Sequence, residues 1–255
     1  MSGAGRRPVE RLGLWTASIG LFLAIWQVVG ASEAVFAIEP PTEVFPVLWE
    51  ELTEGELVSA MLGTLRLAAV GLIAGIAVGI PVGLLTGSSK RAAWALDPLL
   101  NAGFATPMAM ILPVIGLYLG LTFDAKVFVV FLFCVFVIAI NTAGGVRSVS
   151  PDLRDLGKSF RLGRRQIATR IVLRGASPQM LTGLRIAVSR AVQGAVLADL
   201  FLQADYLGLY LIEAGSTFDV SVLLAGVFAI TVVAAGLMAL AHALENWLLR
   251  WKLTD

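Results

Sequence analysis

The chain has 255 residues, of which 58% are hydrophobic and 15% charged, and its 19 Lys and Arg against 18 Asp and Glu give a formal net charge of +1. Soluble domains run to roughly 45–50% apolar and about 25% charged residues, so a soluble globular fold is excluded and a membrane protein is indicated. The near-zero net charge says nothing about partners; what informs is where the charges lie along the chain.

A bilayer core of about 30 Å takes roughly 20 apolar residues per helical span, which allows about five to seven spans here. One membrane domain over residues 1–255 is expected, with no sizeable soluble domain. Arg6, Arg7 and Arg11 precede a first apolar run over 12–31. That run exceeds the roughly 7–15 residues of a signal-peptide core, so it predicts a retained first span behind a cytoplasmic tail, 1–11. Next, Glu33, Glu39, Glu43, Glu50, Glu51, Glu54 and Glu56 fall in a segment, 33–59, that has no Lys or Arg. Cytoplasmic loops carry the basic excess, so this segment is assigned to the outside. Within it Phe45, Leu48, Trp49 and Leu52 fall at i, i+3, i+4 and i+7 behind Pro40 and Pro41. They predict a short amphipathic helix on the outer surface, covering the span ends or receiving a soluble partner.

The second apolar run, 62–87, carries Gly71, Gly75, Gly79, Gly83 and Gly87, a stripe along which another helix can approach closely. Pro81 interrupts it. Pro107 and Pro113 remove backbone donors from the third run, 97–121, which is expected to be kinked or broken. A near-neutral loop with Asp124 and Lys126 leads to the fourth, 126–143, where the lone Cys134 reads as a packing residue. The fifth and sixth runs, 179–203 and 219–243, flank an acidic loop with Asp205, Glu213 and Asp219. Trp247, Arg250, Trp251 and Lys252 form an inner interfacial anchor. The loop charges alternate throughout, which predicts six spans with both termini cytoplasmic.

The fourth loop breaks the apolar pattern with Arg147, Arg154, Lys158, Arg161, Arg164, Arg165, Arg170 and Arg174. Ser150 suits an N-cap, Pro151 the first helical position and Asp152 the positive end of the helix dipole. Leu153, Leu156, Gly157 and Phe160 then make one narrow apolar stripe with a glycine gap. A helix this short is unstable alone and must dock onto something. Ile167 and Ile171 mark a second amphipathic piece, and Ser177 with Pro178 is expected to cap a new helix that becomes the fifth span. A basic loop resting on anionic headgroups explains the arginines but not the capped helix. No aromatic platform or reading module accompanies them, which speaks against nucleic acid. The "GKS" at 157–159 is not a phosphate-binding loop, because Asp152 stands where that motif needs glycine and no strand precedes it. The segment therefore predicts a docking helix for a cytoplasmic partner that binds ATP.

In the fifth span Arg185 lies near the cytoplasmic end, while Arg190 and Gln193 lie deeper, three residues apart on one face. A charge at mid-bilayer costs about 2.5–3.5 kcal/mol on insertion scales, so Arg190 is expected to face protein or water. With Gln193, and with Asp199 further along the helix, it is a candidate for the translocation path; the alternative for Arg190 is that it snorkels or pairs with a neighbour's carbonyls. Asp199, nine residues on, falls near the opposite helix face. His242, the one histidine, reads as structural. With no Ser-His-Asp set, carboxylate pair or metal-ligand cluster, no catalytic or metal-binding residue is expected and the chain reads as a non-enzyme.

The stretches "EPPTEVFPVLWEEL", "GIPVGLLTGSSKR", "NTAGGVRSVSPDL" and "LTGLRIAVSRAVQGAVLADLF", in this order over about residues 38–250, resemble the inner-membrane permeases of ABC importers of the nitrate/sulfonate/taurine type. The cytoplasmic loop of that family carries Glu-Ala-Ala, a Gly four residues on, and a later Ile-x-Leu-Pro. Here Asp155, Leu156 and Gly157 stand at the first three positions, and Ile171 and Leu173 keep the later spacing. The resemblance implies an all-α type I importer fold with six transmembrane helices and a cytoplasmic coupling helix between spans 4 and 5. Asp155, Leu156, Gly157, Lys158, Ser159, Phe160, Arg161, Leu162 and Gly163 would then meet a groove of an ATPase subunit.

It further implies two cytoplasmic ATPases that hold ATP and Mg, an external substrate-binding protein, surrounding lipid, and a second permease, either a copy or a paralogue. The chain itself would bind no cofactor and would sit in a bacterial or archaeal cytoplasmic membrane. Its solute would be a small anion, organic or inorganic, and Asp199 would match an acidic residue common in the family. Two positions depart from the motif: Arg161 replaces its glycine and Arg174 its proline. Arginine resists positive φ, so the turn is expected to use Gly163 instead, and the departures point towards a different second permease or an unusual ATPase. The alternative reading, an ion-coupled secondary transporter or channel, would be expected to carry intramembrane carboxylates or paired ionisable groups.

Overall fold

The computed structural model describes residues 8–32, 38–202 and 205–249, and every regular element among them is helical. Arg6, Arg7, Glu33, Arg250, Trp251 and Lys252 lie outside the described residues. The chain divides into two compact units, Met1–Val58 with Tyr210–Ala229, and Ser59–Leu209 with Ile230–Asp255.

The first unit holds α1 (Pro8–Gly30) and α2 (Pro41–Thr53). The Trp26 indole donates to the Glu39 carbonyl at 2.9 Å and its ring lies 6.2 Å from that of Phe45 and 6.4 Å from that of Phe228. Phe45 and Phe228 meet edge to face at 5.4 Å, the geometry aromatic quadrupoles favour. Pro41 opens α2 at its first helical position and is buried with Val44. Of the stripe read from the sequence, Phe45 packs on Trp26 and Phe228 and Leu48 is half-buried, while Trp49 is 71% exposed and turns outward. An apolar side chain turned out of the protein is what a helix at a lipid interface presents. Beside it, a hydrogen bond that the protonated Glu39 carboxyl donates to Glu43 pushes the Glu39 pKa above its ordinary value, with desolvation and the charges of Glu43 and Asp219 adding to this.

The second unit contains α3 (Leu57–Ser88, from Ser59), α4 (Lys90–Ala105), α5 (Met108–Leu119), α6 (Phe123–Ser148), α7 (Pro151–Ser159), the single turn α8 (Arg164–Gln166) and α9 (Leu173–Phe201). Two further helices, α10 (Tyr206–Ser216) and α11 (Val220–Leu248), each contribute residues to both units. By length and apolarity α3, α6 and α11 can each cross a membrane, and the number rises to five if each bent helix pair is one span. One such pair is α4 and α5, which meet at 99°. The break expected in the third apolar run falls at Pro107, which has no N–H to give; Thr106 Oγ1 donates to the Ala102 carbonyl at 2.7 Å on the α4 side.

The core forms around α6. A Cβ added at Gly71 would meet Val130, at Gly75 Cys134, at Gly79 Ile138, at Gly83 Thr142 and at Gly87 Val146. Both sequences advance by four, so α3 and α6 run in the same direction with their backbones close along the whole glycine stripe. Against α9 the order is reversed, since Gly145 meets Gln179 and Ala176, Asn141 meets Gly183, and Phe133 meets Gly194. Ala187, Ala191, Ala195 and Ala198 supply the small face of α9 in a core shared with Leu67, Leu112, Val130, Cys134 and Ile138. Thr182 and Arg185 on α9 meet Glu245 and His242 on α11, again antiparallel.

One boundary differs from expectation. The helix does not start anew at Ser177 and Pro178; it runs from Arg164 through a π-helical stretch, Ile167–Val172, into α9. Pro178 cannot donate to the Arg174 carbonyl, and the Ser177 hydroxyl donates to that oxygen instead at 2.8 Å. This substitution keeps the freed carbonyl paired and lets the helix continue.

Candidate functional site

Ser150 caps α7 as its sequence requires, its Oγ accepting from the Asp152 N–H at 3.2 Å. The other end of α7 corrects the sequence reading. Arg161, not Gly163, takes the left-handed conformation, with φ +54°, while Gly163 has φ −65°. Leu162 N–H donates to the Gly157 carbonyl at 3.0 Å and Arg161 N–H to the Lys158 carbonyl at 2.8 Å. This pair of bonds is the Schellman closure, and it requires a positive φ at the position that Arg161 occupies. The paired backbone holds an arginine where glycine would be unstrained.

Exposure sorts the apolar stripe and the nine residues expected to face a partner. Leu153 and Leu156 are 50% and 53% exposed and Phe160 is 73% exposed, so three apolar side chains of the stripe stand free of their own chain. Gly157 does not share that face. It is buried, and a Cβ there would lie 2.7 Å from Ile171 Cδ1, so the glycine gap is filled from the π-helical stretch behind it. Lys158 bridges Asp155 at 2.7 Å with both side chains exposed, and the Ser159 hydroxyl donates to the Asp155 carbonyl at 3.1 Å. Gly163 N–H donates to Gln166 Oε1 at 2.9 Å, anchoring the start of α8.

Arg190 and Gln193 are both exposed and line one cavity of about 310 Å³. Phe104, Phe133 and Phe136 form much of its wall, and Thr106, Pro107 and Met108 bring the α4–α5 break to its edge. Asp199 does not line it. That carboxylate is fully buried, accepts from Thr64 Oγ1 at 2.6 Å and pairs with Lys126 Nζ at 3.1 Å. Lys126 also reaches Asp205 at 2.9 Å and sits 5.6 Å from the centre of the Tyr206 ring. Thr64 Oγ1 accepts from the Leu207 N–H at 3.2 Å and completes the cluster. Sequence reasoning missed this group because Lys126 reads as a loop charge. The one available signal was Thr122, an N-cap residue that places Lys126 inside α6. At the other end of α9, Glu245 accepts from Thr182 at 2.9 Å and lies 3.3 Å from Arg185, which is 2.9 Å from His242 Nδ1. No cluster of three or more His, Cys, Asp or Glu able to hold a metal occurs among the described residues.

The comparison that decides the family covers most of the chain: residues 71–253 match the family described as binding-protein-dependent transport system inner membrane component. The chain belongs to this family. It is an importer permease, and its similarity to others extends beyond the matched region. The putative aliphatic sulfonates transport permease protein SsuC of Bacillus subtilis is 30% identical over 234 residues, 91% of this chain and 85% of the relative. The taurine transport system permease protein TauC of Escherichia coli is 27% identical over 254 residues, 95% and 92% of the two chains. Among solved structures, a chain of the MetNI methionine ABC transporter in an inward-facing conformation superposes with a TM-score of 0.66 at 16% identity. That match covers 79% of this permease and 97% of the other chain, and at this identity it speaks to the fold alone. The ion-coupled alternative gives way to the family match, even though the permease does contain a buried ion pair of the kind that reading called for.

Proposed function

We propose that the permease forms, with a second permease, the membrane path of an ATP-driven importer for a small anion, and that α7 is the coupling helix that docks on a cytoplasmic ATPase. The observation that carries the reading is α7 itself. It is a short helix closed at both ends, by Ser150 and by the Arg161 turn, that leaves Leu153, Leu156 and Phe160 exposed. A closed helix transmits force as a rigid body, whereas an open basic loop would yield.

Six spans fit the helix directions. Because α3 and α6 run the same way, the chain between them must cross back, which favours counting the α4–α5 pair as one broken span. The reversals from α6 to α9 and from α9 to α11 supply the remaining alternation, and α1 with its apolar stretch Thr16–Gly30 is the first span. The whole chain then forms a single transmembrane domain with both termini cytoplasmic. Its second permease is a copy or a paralogue, its solute is delivered by an external binding protein, and ATP and Mg belong to two ATPase subunits. Arg190 and Gln193 are the residues of the path, and the SsuC and TauC likeness favours an anionic solute.

Purification of the permease from its native membrane in mild detergent, followed by mass spectrometry, tests the assembly. An ATPase in equal amount to the permease is expected. An intact permease oligomer without any ATPase would overturn the reading.

A further inference from the structure

The Arg190 cavity has more character than a path for any anion requires. Its charge comes from one guanidinium, which among the described residues has neither a carboxylate nor a carbonyl partner. A membrane-embedded cation without a counter-charge is costly, so Arg190 is poised to receive an anion from outside the chain. Gln193, one turn further along α9, adds an amide donor on the same wall. The first residues of α5, Met108 and Ala109, border the cavity behind Pro107, whose side chain provides no cap, so the α5 backbone dipole adds a favourable field.

Aromatic side chains line the same cavity and are held in place. Phe133 rests on Gly194, where a Cβ would come within 3.0 Å of the ring, and Phe136 rests on Gly103, where a Cβ would overlap it. Each ring is therefore seated by a glycine on a neighbouring helix, and Phe104 and Leu197 also line the cavity. A small inorganic oxyanion makes no use of such walls and loses hydration against them. An anion with a compact apolar body gains from both halves.

We propose that this cavity is a transit subsite for an organic sulfonate or carboxylate, with its anionic group on Arg190 and Gln193 and its apolar body against Phe104, Phe133 and Phe136. The proposal rests on the anion-importer reading above and specifies its substrate class.

The test uses the permease–ATPase complex in lipid nanodiscs without binding protein, with radiolabelled benzenesulfonate as probe and methanesulfonate and nitrate as competitors. Saturable benzenesulfonate binding is expected. Arg190→Gln should weaken it by at least about tenfold, the effect of losing one charge-assisted contact, and Arg190→Lys by less. Phe136→Leu, which keeps the wall apolar but removes the ring, should weaken benzenesulfonate while leaving methanesulfonate unchanged. Nitrate should compete only at much higher concentration. Absence of saturable binding, nitrate competing as well as benzenesulfonate, or indifference to both Arg190→Gln and Phe136→Leu would overturn the subsite. ATPase co-purification with each variant is recorded in parallel. Its retention with any of these failures would sink the subsite and leave the importer reading standing, while its loss in the unmutated chain would sink the importer reading.

Discussion

Lys126 Nζ on α6 lies 3.1 Å from Asp199 Oδ1 on α9, with 2% and 0% of the two side chains exposed. The ion pair ties together two antiparallel helices of the core, and Thr64 on α3 and Asp205 after α9 complete it. Removing one partner of a buried pair leaves an uncompensated charge, at a cost of about 3–5 kcal/mol, whereas replacing both with apolar residues is often nearly neutral. Lys126→Met should therefore destabilise the permease by about that amount. The double variant Lys126→Met with Asp199→Leu should recover much of the loss. Unfolding free energies in mixed micelles, closed as a double-mutant cycle, measure the difference; equal losses in the single and double variants would mean the pair is not the source.

The Arg161 turn predicts a gain. A left-handed residue with a side chain costs roughly 1–2 kcal/mol relative to glycine, so Arg161→Gly should stabilise the end of α7 by about 1 kcal/mol. Slower hydrogen exchange at the Arg161 and Leu162 amides, which close the turn, is the expected reading. Faster exchange there would show that the arginine side chain stabilises the turn by contacts that outweigh its backbone strain.

The glycine stripe separates two glycines by position. At Gly83 a Cβ would come 2.5 Å from the Ala139 carbonyl and from Thr142, while at Gly236 it would meet nothing within 4 Å. Gly83→Val should lower stability by about 1–3 kcal/mol through overpacking. Gly236→Ala should leave it unchanged or raise it by up to about 1 kcal/mol. Thermal unfolding in detergent ranks the two, and a Gly83→Val protein as stable as the parent would refute the close α3–α6 approach.

A fourth contrast lies within α7. Gly157 packs on Ile171 while Phe160 is free. Gly157→Trp should disturb the loop itself and increase protease cleavage near residue 157, whereas Phe160→Ala should leave the protease pattern unchanged and weaken ATPase association. Matching protease patterns in the two variants would contradict this division.

Much of the fold was legible because hydrophobic period and punctuation are local signals. The α3 glycines, the Pro107 break and the Ser150 cap were read from short stretches and reappear as packing, bend and hydrogen bond. What failed depended on partners distant in sequence or on competing local terms. Lys126 sits three residues inside α6, and its partners are 73 and 79 residues away, so its burial has no local signature. At Arg161 two backbone hydrogen bonds outweigh the side chain's objection to positive φ. At Pro178 one serine hydroxyl removes the reason for the helix to stop. For the candidate path, helical spacing placed Arg190 with Gln193 on one face, but the aromatic residues that line the same cavity come from α4 and α6 and needed the fold.

The coupling role of α7 is tested most directly by a single-cysteine crosslink. Cys134 is fully buried, so Phe160→Cys introduces the one accessible thiol among the described residues. A short thiol-to-amine crosslinker applied to the purified complex should join residue 160 to the ATPase subunit, and the yield should change when ATP is added. A Phe160→Cys complex that contains ATPase but yields no such product, while Trp49→Cys at α2 does, would contradict the account.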